Sequence, residues 1–110
     1  MKVVWYTKAE KTWRETLQYI YSEYGYRSAV HFRKETNVVV KQIRDFPNSA
    51  PIEDMLKNSE FEFRSVAFGE HNKLIYYIAK DAIYVADIWD TRREPKNQAN
   101  ETMKNEVNQN

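Results

Sequence analysis

Residues 7–25 carry the pattern of an amphipathic helix. Apolar side chains recur there at spacings of four, four, three and four, at Ala9, Trp13, Leu17, Ile20 and Tyr24. Such spacing lines one face of a helix. Thr7 and Glu10 fit a capping box at its start, and Gly25 supplies a residue that ends helices readily. The pattern predicts a helix over residues 8–24, preceded by a short strand in the segment KVVWY.

A second helical pattern covers residues 28–45. Its inward positions repeat at intervals of three and four, at Ala29, Phe32, Thr36, Val39, Ile43 and Phe46. The valine triplet at 38–40 favours a strand locally, but a pattern of this length outweighs that preference. Pro47 blocks continuation of the helix. We therefore expect a helical hairpin, followed at residues 47–60 by a linker with a brief helical turn near residues 52–56.

The hydrophobic period changes to two after residue 60. Three runs show it, FEFRSVAF at 61–68, KLIYYIA at 73–79 and AIYVADIWD at 82–90, separated by short polar turns. Alternation of this kind predicts three consecutive antiparallel strands. The order β-α-α-β-β-β makes an α+β domain, in which the helical hairpin packs on one face of a mainly antiparallel four-stranded sheet. The other face is expected to be partly open.

Strict alternation places Asp87 on that open face, together with Val85 and Trp89. Burial of a lone carboxylate is costly, so Asp87 is expected either to face water or to meet a cation such as Lys73. The segment 96–110 is rich in Asn and Gln and is expected to be mobile or weakly helical alone. The folded domain is thus expected over residues 1–95, with a polar tail at 96–110.

Composition narrows the class of protein. The 110 residues include 42% apolar residues, which is enough for one packed core, and no run is long enough to cross a bilayer. With no signal-peptide pattern either, we expect a cytoplasmic protein without membrane contact. Cysteine is absent and the two histidines lie forty positions apart, so no disulfide, metal or cofactor is expected. The net charge of +1 does not favour binding through phosphate contacts alone.

Four segments together resemble the RelE/ParE superfamily of bacterial toxins. They are RDFP at the end of the second helix, FRSVAFG, HNKLIYYI and the closing IYVADIWDTRREP, and the likeness covers residues 2–96. The resemblance implies a small toxin, of the kind named for plasmid stabilisation, that is made with a cognate antitoxin. RelE-like members cut messenger RNA on the ribosome, whereas ParE-like members resemble inhibitors of DNA gyrase and need no nuclease residues.

The resemblance also points to cationic positions. Arg64 matches an arginine on the first strand of the meander, Lys73 lies near a cationic position on the next, and Arg92 or Arg93 matches the arginine after the last strand. We expect these side chains to converge on the open face, where they would bind a target or phosphate. Each has a simpler reading: Arg64 pairs with Glu62, Lys73 is an edge charge, and Asp90 pairs with Arg92 or Arg93.

An acid and a base are harder to assign. RelE-like enzymes place a Tyr or His in the C-terminal segment, and this chain has neither after Trp89. His71 and Glu62 are weak substitutes, and both His71 and His31 are read first as solvated surface residues. Tyr19, Tyr21 and Tyr26 flank the first helical stripe and either widen the core or form an exposed aromatic patch.

The sequence therefore favours a ParE-like toxin that binds DNA gyrase rather than cleaving a bond. Two alternatives remain open. One is a RelE-like endoribonuclease acting on ribosome-bound message, and the other is a non-toxic module that keeps only antitoxin binding.

Overall fold

The computed structural model describes the chain from residue 1 to residue 108, with side chains to residue 104. The elements are β1 (Lys2–Trp5), α1 (Thr7–Tyr24), α2 (Tyr26–Asp45), a 3₁₀ turn (Asp54–Leu56), β2 (Arg64–Phe68), β3 (Asn72–Ala79), β4 (Ala82–Asp90) and α3 (Pro95–Asn108). The sheet order is β1-β4-β3-β2, with β1 parallel to β4 and the other pairs antiparallel. The predicted α+β architecture is confirmed.

The helical hairpin forms as its periodicity predicts, with different capping. Tyr6 takes the N-cap position of α1 without a side-chain cap, and Thr7 is already helical, so the predicted capping box is wrong. The reversal between the helices depends on Gly25, whose φ of 94° is a conformation that side chains disfavour. The hairpin packs on the sheet through Phe32, which stacks on Trp13 at 5.9 Å and on Phe68 at 5.5 Å between ring centroids.

The opposite face of the sheet is covered as well, and the prediction of a partly open face is wrong. The linker folds back over it, and Leu56 and Phe63 are each 1% exposed. Phe61 stacks on Tyr77 with ring centroids 4.0 Å apart. Helix α3 covers the remainder, in contact with β4 and the 3₁₀ turn. Nothing in the sequence indicated this packing, because the few apolar residues of the linker and the tail show no regular spacing.

Helix α3 docks through two buried polar side chains, Gln98 and Thr102, as well as through Ala99 and Met103. The Gln98 amide bonds both backbone groups of Asp90, accepting from its N–H and donating to its C=O at 2.8 Å each. Thr102, which is fully buried, accepts a hydrogen bond from Trp89 Nε1 at 2.9 Å. The segment expected to be mobile or weakly helical alone is thus helical through residue 108 and packed at Gln98, Ala99 and Thr102, while residues 109–110 of that prediction lie outside the described residues. The division at residue 95 stays a prediction.

A β-bulge explains the placement of Asp87. Tyr76 pairs with Val85 and Ile75 with Asp87, so Ala86 is an extra residue that puts Val85 and Asp87 on opposite faces. Asp87 is only 3% exposed, and it neither faces water nor meets Lys73. Its carboxylate accepts hydrogen bonds from Thr102 Oγ1 at 2.8 Å and from the backbone N–H of Ile88 at 2.9 Å. Burial raises the pKa of Asp87, and the Thr102 hydrogen bond opposes that shift only in part.

The wild-type chain is expected to lose stability as pH rises, because the buried Asp87 ionises. We predict that Asp87→Asn, which cannot ionise, does not show this loss. Because the native pKa is raised, the folded chain holds this proton more tightly than the unfolded chain, in which aspartate ionises near about 3.9. The free energy of unfolding therefore falls as pH rises from about 4 toward the native pKa. Urea titrations at pH 4 and pH 7 should show the variant gaining on the wild type at pH 7. An equal difference at both pH values would contradict this.

Candidate functional site

Arg64 is held as a structural clamp at the start of β2. Its guanidinium donates to the carbonyl of Ala50 at 2.6 Å and of Asn48 at 3.2 Å, and it pairs with Glu62 at 3.2 Å. The side chain is 16% exposed. It lies on the hairpin side of the sheet, because Arg64 and Phe68 share a strand face and Phe68 meets Phe32. Arg64 therefore fastens the linker, and Glu62 is its ion-pair partner.

Lys73 lies on the opposite face of the sheet. Its ammonium pairs with Glu53 at 2.6 Å and sits 5.8 Å from the ring centroid of Trp89. The Glu53 side chain is 5% exposed, and its other oxygen accepts from the N–H of Met55 at 3.2 Å. Burial opposes ionisation of Glu53, but the hydrogen bonds from Lys73 and Met55 outweigh it and lower the pKa. Lys73 thus ties the 3₁₀ turn to β3.

Arg92 and Arg93 lie just beyond β4 and are both about half exposed. The Arg92 guanidinium donates two hydrogen bonds of 3.0 Å each to the Asp90 carboxylate, and the Arg92 backbone N–H donates a third at 2.9 Å. These bonds, led by the one from the Arg92 side chain, lower the pKa of Asp90. Arg93 pairs with Glu101 of α3 at 3.2 Å. The expected pairing of Asp90 with an arginine is found.

The four predicted cations do not converge on one patch. Arg64 pairs with Tyr76, whereas Asp90 pairs with Asn72, four residues along β3. That offset alone is about 13 Å along the strands, with two strand spacings added across the sheet. Lys73 points to the other face. The expectation failed because the β2–β3 register pairs Lys73 with Ala67 and so turns it to the face opposite Arg64, and because Arg64 and Arg92 lie toward opposite ends of the strands.

A cavity of about 580 Å³ lies instead between the hairpin and the ends of β3 and β4. Helices α1 and α2 contribute Tyr19, Tyr24, Arg27 and His31, and the sheet end contributes His71, Asp90, Arg92 and Arg93. The two phenols lie within electrostatic range of the Arg92 guanidinium, and His71 lies within range of Asp90. Of the sequence-predicted site residues, only His71, Arg92 and Arg93 meet here.

Glu35 fixes the shape of this cavity. One of its carboxylate oxygens accepts the N–H of Gly69 at 2.7 Å, and the other pairs with His31. The β2–β3 turn is thereby tied to α2. This site was not predicted from the sequence because its parts lie far apart in the chain. The local signal was the spacing of Arg27, His31 and Glu35, which fall four residues apart on one face of α2.

Several tyrosine side chains are exposed at the hairpin tip, where α1 ends and α2 begins. Tyr19, Tyr21 and Tyr26 are 49%, 52% and 72% exposed, and Tyr24 is 65% exposed. They do not widen the core, and the alternative of an exposed aromatic patch describes them better.

Comparison with known proteins identifies the fold. A chain of the chromosomal ParDE TA system from P. aeruginosa has a TM-score of 0.66 to this chain, with 13% sequence identity, covering 82% of this chain and 95% of that one. The chain has a RelE/ParE-like fold. No family model and no curated protein matches the sequence. At this identity the likeness concerns the fold, and it confirms the architecture that the RelE/ParE resemblance implied.

Metal-ligand clusters and membrane-spanning helices are absent from the residues that the structure describes. No group of three or more His, Asp or Glu side chains there is placed to hold a metal ion. None of the helices there is long and apolar enough to span a membrane.

We predict that Lys73→Met destabilises the fold at neutral pH because it strands the buried Glu53 carboxylate. Removing one partner of a buried pair costs about 3–5 kcal/mol, and partial exposure of Lys73 reduces this to about 1–3 kcal/mol. The pKa of Glu53 is lowered in the native state, so the pair stabilises above the unfolded pKa and its contribution is lost as pH falls.

Urea unfolding at pH 7 and pH 4 measures both effects, with a smaller deficit expected at pH 4. Lys34→Ala, at an exposed position of α2, is the matched control and should leave the free energy of unfolding unchanged. A Lys73→Met variant as stable as the wild type at pH 7 would show that the pair is not structural.

Proposed function

We propose that this chain is the toxin of a type II toxin–antitoxin pair and acts in the ParE-like manner, by binding a macromolecular target such as DNA gyrase. The observation that carries the proposal is the fold likeness to a chain of a ParDE TA system, which extends over 82% of this chain and 95% of that one. The four RelE/ParE-like sequence segments lie at the end of α2 and on β2, β3 and β4 of this fold.

The side-chain geometry favours binding over RNA cleavage. Attack by a 2′-hydroxyl needs a base, an acid and cations around one phosphate. Among the described residues, Arg64 is bonded to carbonyls, Lys73 to Glu53 and Arg92 to Asp90, at three separate places. Glu62 lies with Arg64, away from His71. Since each positioned acid or base is worth about a hundredfold to ten-thousandfold, such an arrangement is poorly suited to a nuclease.

One observation favours the RelE-like endoribonuclease as a second candidate. His71 and Arg92 both line the cavity, and both lie near enough to Asp90 to lower its pKa. In that function His71 transfers the proton and Arg92 stabilises the phosphorane. The chain has no Tyr or His after Trp89, where RelE-like enzymes carry theirs, so this candidate ranks second.

A cognate antitoxin is the expected partner. Strand β1 is an edge strand of the sheet and pairs, among the described residues, with β4 alone. An unpaired strand edge can accept a strand from another chain through backbone hydrogen bonds. The proposal therefore includes antitoxin binding at or beside β1.

Induction of this chain alone is predicted to arrest bacterial growth, and co-expression of the adjoining open reading frame should relieve the arrest. Purified chain should inhibit supercoiling by DNA gyrase, with a heat-unfolded sample as control. Arrest without any effect on gyrase would transfer the proposal to the second candidate. Absence of arrest at confirmed expression would leave a non-toxic antitoxin-binding module and overturn the proposal.

Arg92→Ala and Arg93→Ala are predicted to weaken the arrest without unfolding the chain. Both side chains are about half exposed, and exposed ion pairs contribute only about 0–1 kcal/mol to stability. His71→Asn should leave the arrest intact, since binding needs no proton transfer, whereas the endoribonuclease predicts its loss. Arg44→Ala on α2 is the matched control. Growth curves and thermal unfolding measure both properties, and a large fall in Tm for either arginine variant would assign that arginine to folding instead.

A further inference from the structure

The cavity at the hairpin tip has an aromatic wall that the proposed function does not use. Tyr19 and Tyr24 meet edge to face with ring centroids 6.4 Å apart, and they remain 49% and 65% exposed. Ile20 and Phe32 lie deeper in the same cavity. Exposed aromatic rings beside an apolar floor leave ring surface available for a planar ligand to stack on.

A second wall of the cavity offers guanidinium donors. Arg92 donates two of its five side-chain N–H groups to Asp90, so three N–H groups remain for another acceptor. Its fork is held by that bidentate pair, which reduces the entropy lost when a ligand binds. Arg27, on the first turn of α2, is exposed and makes no hydrogen bond or ion pair with any residue in the described part of the chain.

Two of the three acidic residues that line the cavity are already bonded. Asp90 is bonded to Arg92, and Glu35 is bonded to the Gly69 N–H and to His31. The Glu70 side chain is 92% exposed. A negatively charged ligand therefore meets Arg27 and the remaining N–H groups of Arg92, while Glu70, the third acidic residue of the lining, lies 3.8 Å from His71 Nε2 with its side chain mostly in solvent.

We infer that this cavity binds a nucleotide, with the base against Tyr24 and Tyr19 and the phosphate on Arg27 and Arg92. Arginine forks match phosphate oxygens in geometry and charge, and the base–aromatic contact explains why two tyrosines are left exposed. The volume of about 580 Å³ lies within the range of small-ligand pockets. This site goes beyond the proposed toxin function and does not rest on it, since that function requires protein partners only.

The nucleotide bound in this cavity is either a free nucleotide or one nucleotide of a single-stranded nucleic acid. Isothermal titration calorimetry of the purified chain with adenosine 5′-monophosphate, adenosine and single-stranded hexa-adenylate separates them. The monophosphate should bind at least about tenfold more tightly than adenosine, because a charge-assisted phosphate contact is lost in the nucleoside. Hexa-adenylate binding more tightly than the monophosphate would assign the site to a strand, and equal or weaker binding would assign it to the free nucleotide.

Two variants with matched controls locate the site. Arg27→Ala should weaken monophosphate binding about tenfold or more, and Tyr24→Leu should weaken it about fivefold or more. Arg44→Ala and Tyr26→Leu remove an exposed arginine and an exposed tyrosine that do not line the cavity, and they should bind as the wild type does. Circular dichroism should be the same for all four, because none of these side chains is buried.

Three results would overturn the inference. They are no binding of either phosphate-bearing probe by the wild type, equal binding of adenosine and its monophosphate, or unchanged binding in both cavity variants. Each is independent of whether the chain arrests growth.

Discussion

The structure depends on the burial of β4 on both of its faces. Seven of the nine residues of this strand are buried, with the helical hairpin on one side and α3 with the folded-back linker on the other. A strand in this position cannot leave polar side chains unsatisfied, so Asp87 and Trp89 require Thr102 as their hydrogen-bond partner. The sheet consequently has no open face for a catalytic patch, and the exposed chemistry lies where β4 ends, at Asp90 and Arg92.

This constraint separates what the sequence could predict from what it could not. The hairpin followed from Ala9, Trp13 and Leu17, because one helical face of apolar residues is a local signal. The bulge at Ala86 was invisible, since one inserted residue leaves the alternating pattern intact while it reverses the faces on either side. Docking of α3 was missed for a different reason. Gln98 and Thr102 are polar, and a reading based on apolar periodicity treats such residues as solvated.

The candidate site shows the same division. The individual cations Arg64, Lys73 and Arg92 were found from the RelE/ParE resemblance, but their partners come from distant segments that no local pattern connects to them. Lys73 pairs with Glu53, and Arg64 donates to the carbonyl of Ala50, so both cations stabilise the fold. The cavity is also assembled from distant parts of the chain, so neither spacing nor composition could reveal it. Likeness to a chain of a ParDE TA system concerns the fold, and the proposed action by binding rests on the dispersed cations.

Mapping of messenger RNA 5′ ends in cells arrested by this chain tests that account most directly. Because the cations lie apart and the sheet is covered on both faces, arrested cells should show the same transcript ends as cells arrested by a gyrase inhibitor. New 5′ ends within translated codons, absent from the gyrase-inhibited control, would contradict the account and show that the chain cleaves RNA.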